Sequence, residues 1–163
     1  MVSFIFLIFG YFSLLIESTL YFFDYSNFLH IDLIPALINW YALNENNWKG
    51  SFFIAFLATL ASLFSILPFT AFLLAYILAF WIITYIKINL LELNKIQIHF
   101  FTFFISTEIQ VVLLLWSGRP ELLWPNGMIQ GLINMALSPV VFLILNKLNL
   151  LLNIIIKQKD ETG

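Results

Sequence analysis

Two carboxylates stand inside runs of apolar residues. Glu17 follows Leu14-Leu15-Ile16, and Glu108 lies within Ile105-Ser106-Thr107-Glu108-Ile109. A charged side chain at the centre of a bilayer costs about 2.5–3.5 kcal/mol on insertion scales. Each must therefore face protein, water or a partner, or be protonated. The chemistry open to such groups is pairing with another chain's helix, binding a ligand or moving a proton. Glu17 belongs to a stripe at helical spacing, Gly10, Ser13, Glu17, Tyr21 and Asp24, along one face. The sequence neighbours of Glu108 (Ser106, Thr107, Gln110) point elsewhere, so its partners must come from other helices. Candidates are the small and polar face of Gly127, Gln130, Gly131, Asn134 and Ser138, and that of Ala55, Ala58, Thr59, Ser62 and Ser65. Small residues let helices approach and polar ones bond across them. A bundle with a moderately polar interior, more so toward one side, is expected. Such stripes are most often packing surfaces, and Gly127-x-x-x-Gly131 fits a close-packing pattern.

No catalytic constellation emerges. The serines lack an in-span histidine with an orienting acid. Histidine and carboxylate spacings match no zinc motif, and no glycine loop cradles phosphate. No cofactor or metal is expected. His30 and His99 fall at span ends and read as interface residues. Asp32 reads first as a helix cap. The phenylalanines around Phe100, Phe101, Phe103 and Phe104 read as lipid-facing or packing groups. The absence of cysteine excludes disulfides and thiolate chemistry.

The elements that must position these groups follow from composition. Of 163 residues, 62% are hydrophobic and 10% charged, against about 25% charged in soluble domains. Mean hydropathy is +0.98. Crossing a bilayer takes roughly 20 apolar residues as a helix, so about six crossings fit. The long apolar runs lack the alternation of barrel strands. The fold class expected is an all-α integral membrane protein, a bundle of six transmembrane helices. The spans fall near 3–23, 32–43, 50–67, 69–86, 98–116 and 127–145. The first reads as a retained span, not a signal peptide. Pro68 should end the third and Pro139 should kink the sixth, which can continue to Ile156 along the surface. Residues 1–157 form one polytopic domain, and the short tail from residue 158 is cytoplasmic and disordered. The net charge of -2 and the lack of a basic patch speak against a nucleic-acid partner.

With both termini cytoplasmic, the inner side holds Lys49, Lys87, Lys95, Lys147, Lys157 and Lys159, and the outer side only Arg119. That asymmetry follows the positive-inside rule. Trp40, Tyr41, Trp48, Trp81 and Tyr85 then fall near the inner surface, and Tyr21, Tyr25, Trp116 and Trp124 near the outer one, as an aromatic belt would.

Several motifs in this order resemble the bacterial rod shape-determining MreD family. They are Leu15-Ile16-Glu17-Ser18-Thr19-Leu20, Ile31-Asp32-Leu33-Ile34-Pro35, Trp48-Lys49-Gly50 with Ala55-Phe56, Leu67-Pro68-Phe69-Thr70-Ala71, and Asn134 followed by Pro139. The chain departs from the family pattern where Ala55 replaces a glycine and Ser62 occupies the approximate place of an acidic residue. The resemblance implies a fold like the substrate-binding component of energy-coupling-factor vitamin transporters. It also implies a non-enzymatic scaffold in the inner membrane. That scaffold would bind an MreC-like bitopic protein and be linked indirectly to MreB, RodA and a penicillin-binding transpeptidase. Ser13, Glu17, Asp32, Glu108, Gln130 and Asn134 are the candidate contacts with the partner, or an intramembrane polar site. A vitamin-binding transporter component is the main alternative, and a proton-linked carrier using Glu108 the third.

Overall fold

The computed structural model describes residues 2–23, 32–44, 48–89, 95–118 and 126–162. They form six helices: α1 (Val2–Phe23), α2 (Ile34–Asn44), α3 (Trp48–Leu63), α4 (Phe69–Asn89), α5 (Lys95–Ser117) and α6 (Asn126–Thr162). No strand occurs among the described residues. Three stretches are long and apolar enough to cross a bilayer: Phe69–Asn89, Ile96–Ser117 and Gly127–Ile154. The described apolar stretches of α1 and α3 are shorter, Val2–Ile16 and Gly50–Leu63.

The short helix α2 is the centre of the bundle. Its 11 residues extend about 16 Å, half the thickness of a bilayer's hydrocarbon core. Every residue from Ile34 to Ala42 is buried, because α1, α4, α5 and α6 all pack on it. Local chemistry closes both of its ends. The Ile34 N–H donates to Asp32 Oδ1 at 2.8 Å, and Pro35 sits in the first turn, where no N–H is needed. At the far end, Lys87 Nζ of α4 donates to the Leu43 carbonyl at 2.6 Å, and Asn44 Nδ2 donates to the Trp40 carbonyl at 2.8 Å. The Leu43 carbonyl would otherwise be an orphan of the last turn.

Around α2 the aromatic core assembles. Tyr41 stacks on Phe6 of α1 at 4.1 Å between ring centroids and lies 5.9 Å from Phe80 of α4. Trp40 is fully buried. Trp40 and Tyr41 are thus core residues and not part of an interfacial belt. Trp81, Tyr85 and Trp116 are exposed. The buried face of α4 repeats Ala71, Ala75 and Ala79 one turn apart. A Cβ at Gly50 of α3 would come within 2.5 Å of the Phe80 ring, so α3 and α4 touch there with no room for a side chain.

The largest boundary differences from the sequence expectation are in α3 and α6. Helix α3 ends at Leu63, four residues before Leu67. Phe64 N–H bonds Ala61 O at 3.1 Å and Leu67 N–H bonds Ser65 Oγ at 3.1 Å. These local bonds replace the helix where Pro68 disfavours helical geometry in the residue before it. Helix α6 runs unbroken through Pro139 and on through the stretch 158–162 that composition marks as a disordered tail. Its 37 residues extend about 55 Å. Proline removes one backbone bond, and here the packed α5–α6 contact continues past it.

Candidate functional site

A continuous polar seam runs between α5 and α6 and reaches into α2. On α6, Gln130, Asn134 and Ser138 are spaced one turn apart, so they share a face. On α5, His99, Thr102 and Ser106 do the same. Asn134 Nδ2 donates to Ser106 Oγ at 2.7 Å and Gln130 Nε2 donates to Asn134 Oδ1 at 3.1 Å. Ser138 Oγ lies 3.0 Å from Thr102 Oγ1 and 2.9 Å from His99 Nδ1. From α2, Asn39 Nδ2 donates to Thr102 Oγ1 at 2.9 Å and to the Ile98 carbonyl at 2.8 Å. Trp40 Nε1 donates to Asn146 Oδ1 of α6 at 2.8 Å. Gly131 permits the close approach, since a Cβ there would meet Phe103 at 2.9 Å and Thr107 Oγ1 at 3.0 Å. All six of Asn39, Thr102, Ser106, Gln130, Asn134 and Ser138 are buried. Each makes at least one of these bonds, so the seam acts as an interhelical lock.

Glu108 lies on the other side of α5. It is two residues, about 200° of helical rotation, from Ser106, and it faces α4 rather than α6. There it borders a cavity of about 440 Å³. On α5 the lining is Phe101, Phe104, Ile105 and Glu108. On α4 it is Ala79, Ile82, Ile83 and Ile86. Both sets follow the i, i+3, i+4, i+7 pattern of a helix-packing face. Ile82 and Phe104 are exposed, so the cavity is a lateral groove open to the outside of the bundle. Glu108 is partly buried, but both of its carboxyl oxygens are buried, and neither has a hydrogen-bond partner. An unpaired buried carboxyl is costly, and Glu108 sits near the middle of a helix long enough to span a bilayer.

The residues singled out by sequence divide accordingly. Gln130 and Asn134 are brought together, but with Ser106 and not with Glu108; the expected α6 partners of Glu108 are on the far side of α5. On α3, Thr59 is exposed and bonds its own helix at the Ala55 carbonyl (2.9 Å), while Ser62 bonds the Thr59 carbonyl (2.7 Å). That face supplies no partner to Glu108 either. Ser13 is buried on α1. Asp32 is the cap described above. The Glu17 side chain and His30 lie outside the described residues.

Asn39, Thr102 and His99 join the seam without having been singled out as site residues. Thr102 and Ser106 are spaced one turn apart, and Asn39 is the one amide amid Ile34–Tyr41; those were the available signals. His99, half-buried near the start of α5, packs edge-on to Phe142 at 5.2 Å.

Fold and site together define an all-helical bundle locked by an internal polar seam, with an apolar lateral groove centred on one unpaired carboxyl. No family model matches the chain, and no curated protein or solved structure is detectably similar to it.

Proposed function

We propose that this chain is a six-span scaffold of the bacterial inner membrane, with both termini cytoplasmic. It would serve the cell-wall elongation machinery by binding an MreC-like bitopic protein, and through it MreB, RodA and a penicillin-binding transpeptidase. On this proposal the bundle shares the fold of the energy-coupling-factor substrate-binding component. The observation that carries it is where the polar groups go. Asn134, Ser138, Thr102 and Asn39 bond between helices, and Gln130 bonds Asn134 on its own helix. Among the described residues they do not converge on a chamber. A small-molecule site needs several polar groups facing one cavity, and the groove offers only Glu108. This counts against the vitamin-binding alternative and favours a surface that receives another protein within the membrane. The motifs from Leu15 to Pro139 that resemble the MreD family supply the identity of the machinery.

The test is co-expression with an MreC-like protein and co-purification in mild detergent. A stoichiometric complex is expected; a clean absence of association, with both proteins present and monodisperse, removes the proposal.

A further inference from the structure

We infer that the α4–α5 groove receives a single transmembrane helix of a different protein, one that places a lysine or arginine opposite Glu108. This deepens the scaffold proposal and rests on its placement of α4 and α5 in the membrane.

The groove has the shape of a helix seat. Ala79, Ile82, Ile83 and Ile86 form one wall and Phe101, Phe104 and Ile105 the other. Each wall repeats at helical spacing, so a third helix can set its own side chains between them. Ala79 is the smallest of the lining residues, and it allows close approach where small residues commonly mark helix contacts in membranes. Lipid chains would satisfy these walls, but they cannot satisfy the Glu108 oxygens, which are buried and unbonded. A partner that offers a cation or a strong donor at that depth is stabilised there as lipid is not.

The chain cannot supply that cation to a second copy of itself. Its seven lysines and arginines lie in first or last turns, in a connection or in the second half of α6. Along α4 the nearest is Lys87, eight residues or about 12 Å from Ala79, and its ammonium is held by the Leu43 carbonyl. Along α6 the nearest is Lys147, thirteen residues or about 20 Å beyond Asn134. A second copy inserted in the same orientation therefore brings no lysine or arginine to the depth of Glu108. The occupant has to come from another chain.

The test uses the full chain, fluorescently labelled, in phosphatidylcholine vesicles. The probes are two labelled single-span peptides of leucine and alanine, one with a central lysine and one with leucine there. Energy transfer reads association. The lysine peptide should bind about tenfold more tightly than the leucine peptide, a difference of the size expected for one polar contact in a membrane. Glu108→Gln should bring the two peptides within about twofold of each other. Ile82→Trp, at the exposed rim, should weaken both while leaving the preference for lysine.

Equal binding of the two peptides to the unmodified chain overturns the inference. So does a lysine preference that survives Glu108→Gln, or association indifferent to Ile82→Trp. If dodecylamine binds in a Glu108-dependent way and the lysine peptide does not, the groove takes a small cationic amphiphile and the helix proposal is wrong. The two proposals can fail separately. If the MreC-like protein co-purifies equally with the Glu108→Gln chain, the scaffold stands and the groove is not its seat. If that protein never associates but the lysine preference holds, the groove stands and the scaffold assignment falls.

Discussion

The two faces of α5 carry similar polar chemistry and treat it in opposite ways. Toward α6 and α2, Thr102 and Ser106 meet hydroxyl and amide partners at 2.7–3.0 Å. Toward α4, Glu108 meets isoleucine, phenylalanine and alanine, and its oxygens bond nothing. In a low-dielectric interior a satisfied polar group costs little and fixes register, whereas an unsatisfied one is a standing penalty. The seam therefore reads as architecture. The carboxyl reads as a site whose cost within the isolated chain is recovered only on binding. The Gly131 contact sharpens the contrast: α5 and α6 are pressed together at the seam, while α4 and α5 leave about 440 Å³ open at the groove.

The largest effect is expected where α2 anchors to α6. Trp40 is fully buried and bonds Asn146. Trp40→Ala should lower stability by about 3–5 kcal/mol, read as a shift of the unfolding midpoint in a titration from mild detergent into dodecyl sulfate. A loss no greater than that of a surface substitution would mean that α2 is not the centre of the bundle.

Next come two substitutions to the same residue with opposite signs. Glu108→Leu removes the unpaired carboxyl and should stabilise the isolated chain by about 1–3 kcal/mol. The same titration checks it, and destabilisation would show that the carboxyl has a structural partner after all. Asn134→Leu should cost about 1–2 kcal/mol, since Ser106 and Gln130 each lose a bond. If both leucine variants moved stability in the same direction, the distinction between seam and groove would collapse.

The smallest effect belongs to Thr59→Ala. Thr59 is exposed and bonds only its own helix, so a change within about 0.5 kcal/mol is expected. A larger loss would restore the polar α3 face to the interior of the bundle.

Much of this layout was legible beforehand. The expected starts of the first and fourth spans, Ser3 and Phe69, lie within a residue of α1 and α4; the first apolar run opens at once, and Pro68 marks the other start. Asp32 and Pro35 announced the beginning of α2. The α6 stripe of Gln130, Asn134 and Ser138 was visible as a packing face, and it is one. What Glu108 would meet was not visible. Knowing that Ser106 and Glu108 point apart does not say which neighbour each will face. That choice depends on the order of helices around α5, and the order rests on contacts far apart in the chain. Trp40 and Tyr41 were misplaced for the same reason. Tryptophan near a span end commonly marks an interface, and only the four helices closing around α2 bury it.

By itself, then, the sequence determined the helical class, the approximate place of each segment and the rarity of charge within them. Hydropathy and proline or polar caps act over a few residues, and a linear string records such effects fully. Tertiary structure alone decided that one polar stripe is bonded across the bundle while one carboxyl is left facing apolar side chains. Whether a buried polar atom is satisfied depends on which helix stands opposite, and that is settled only when all the helices compete to pack.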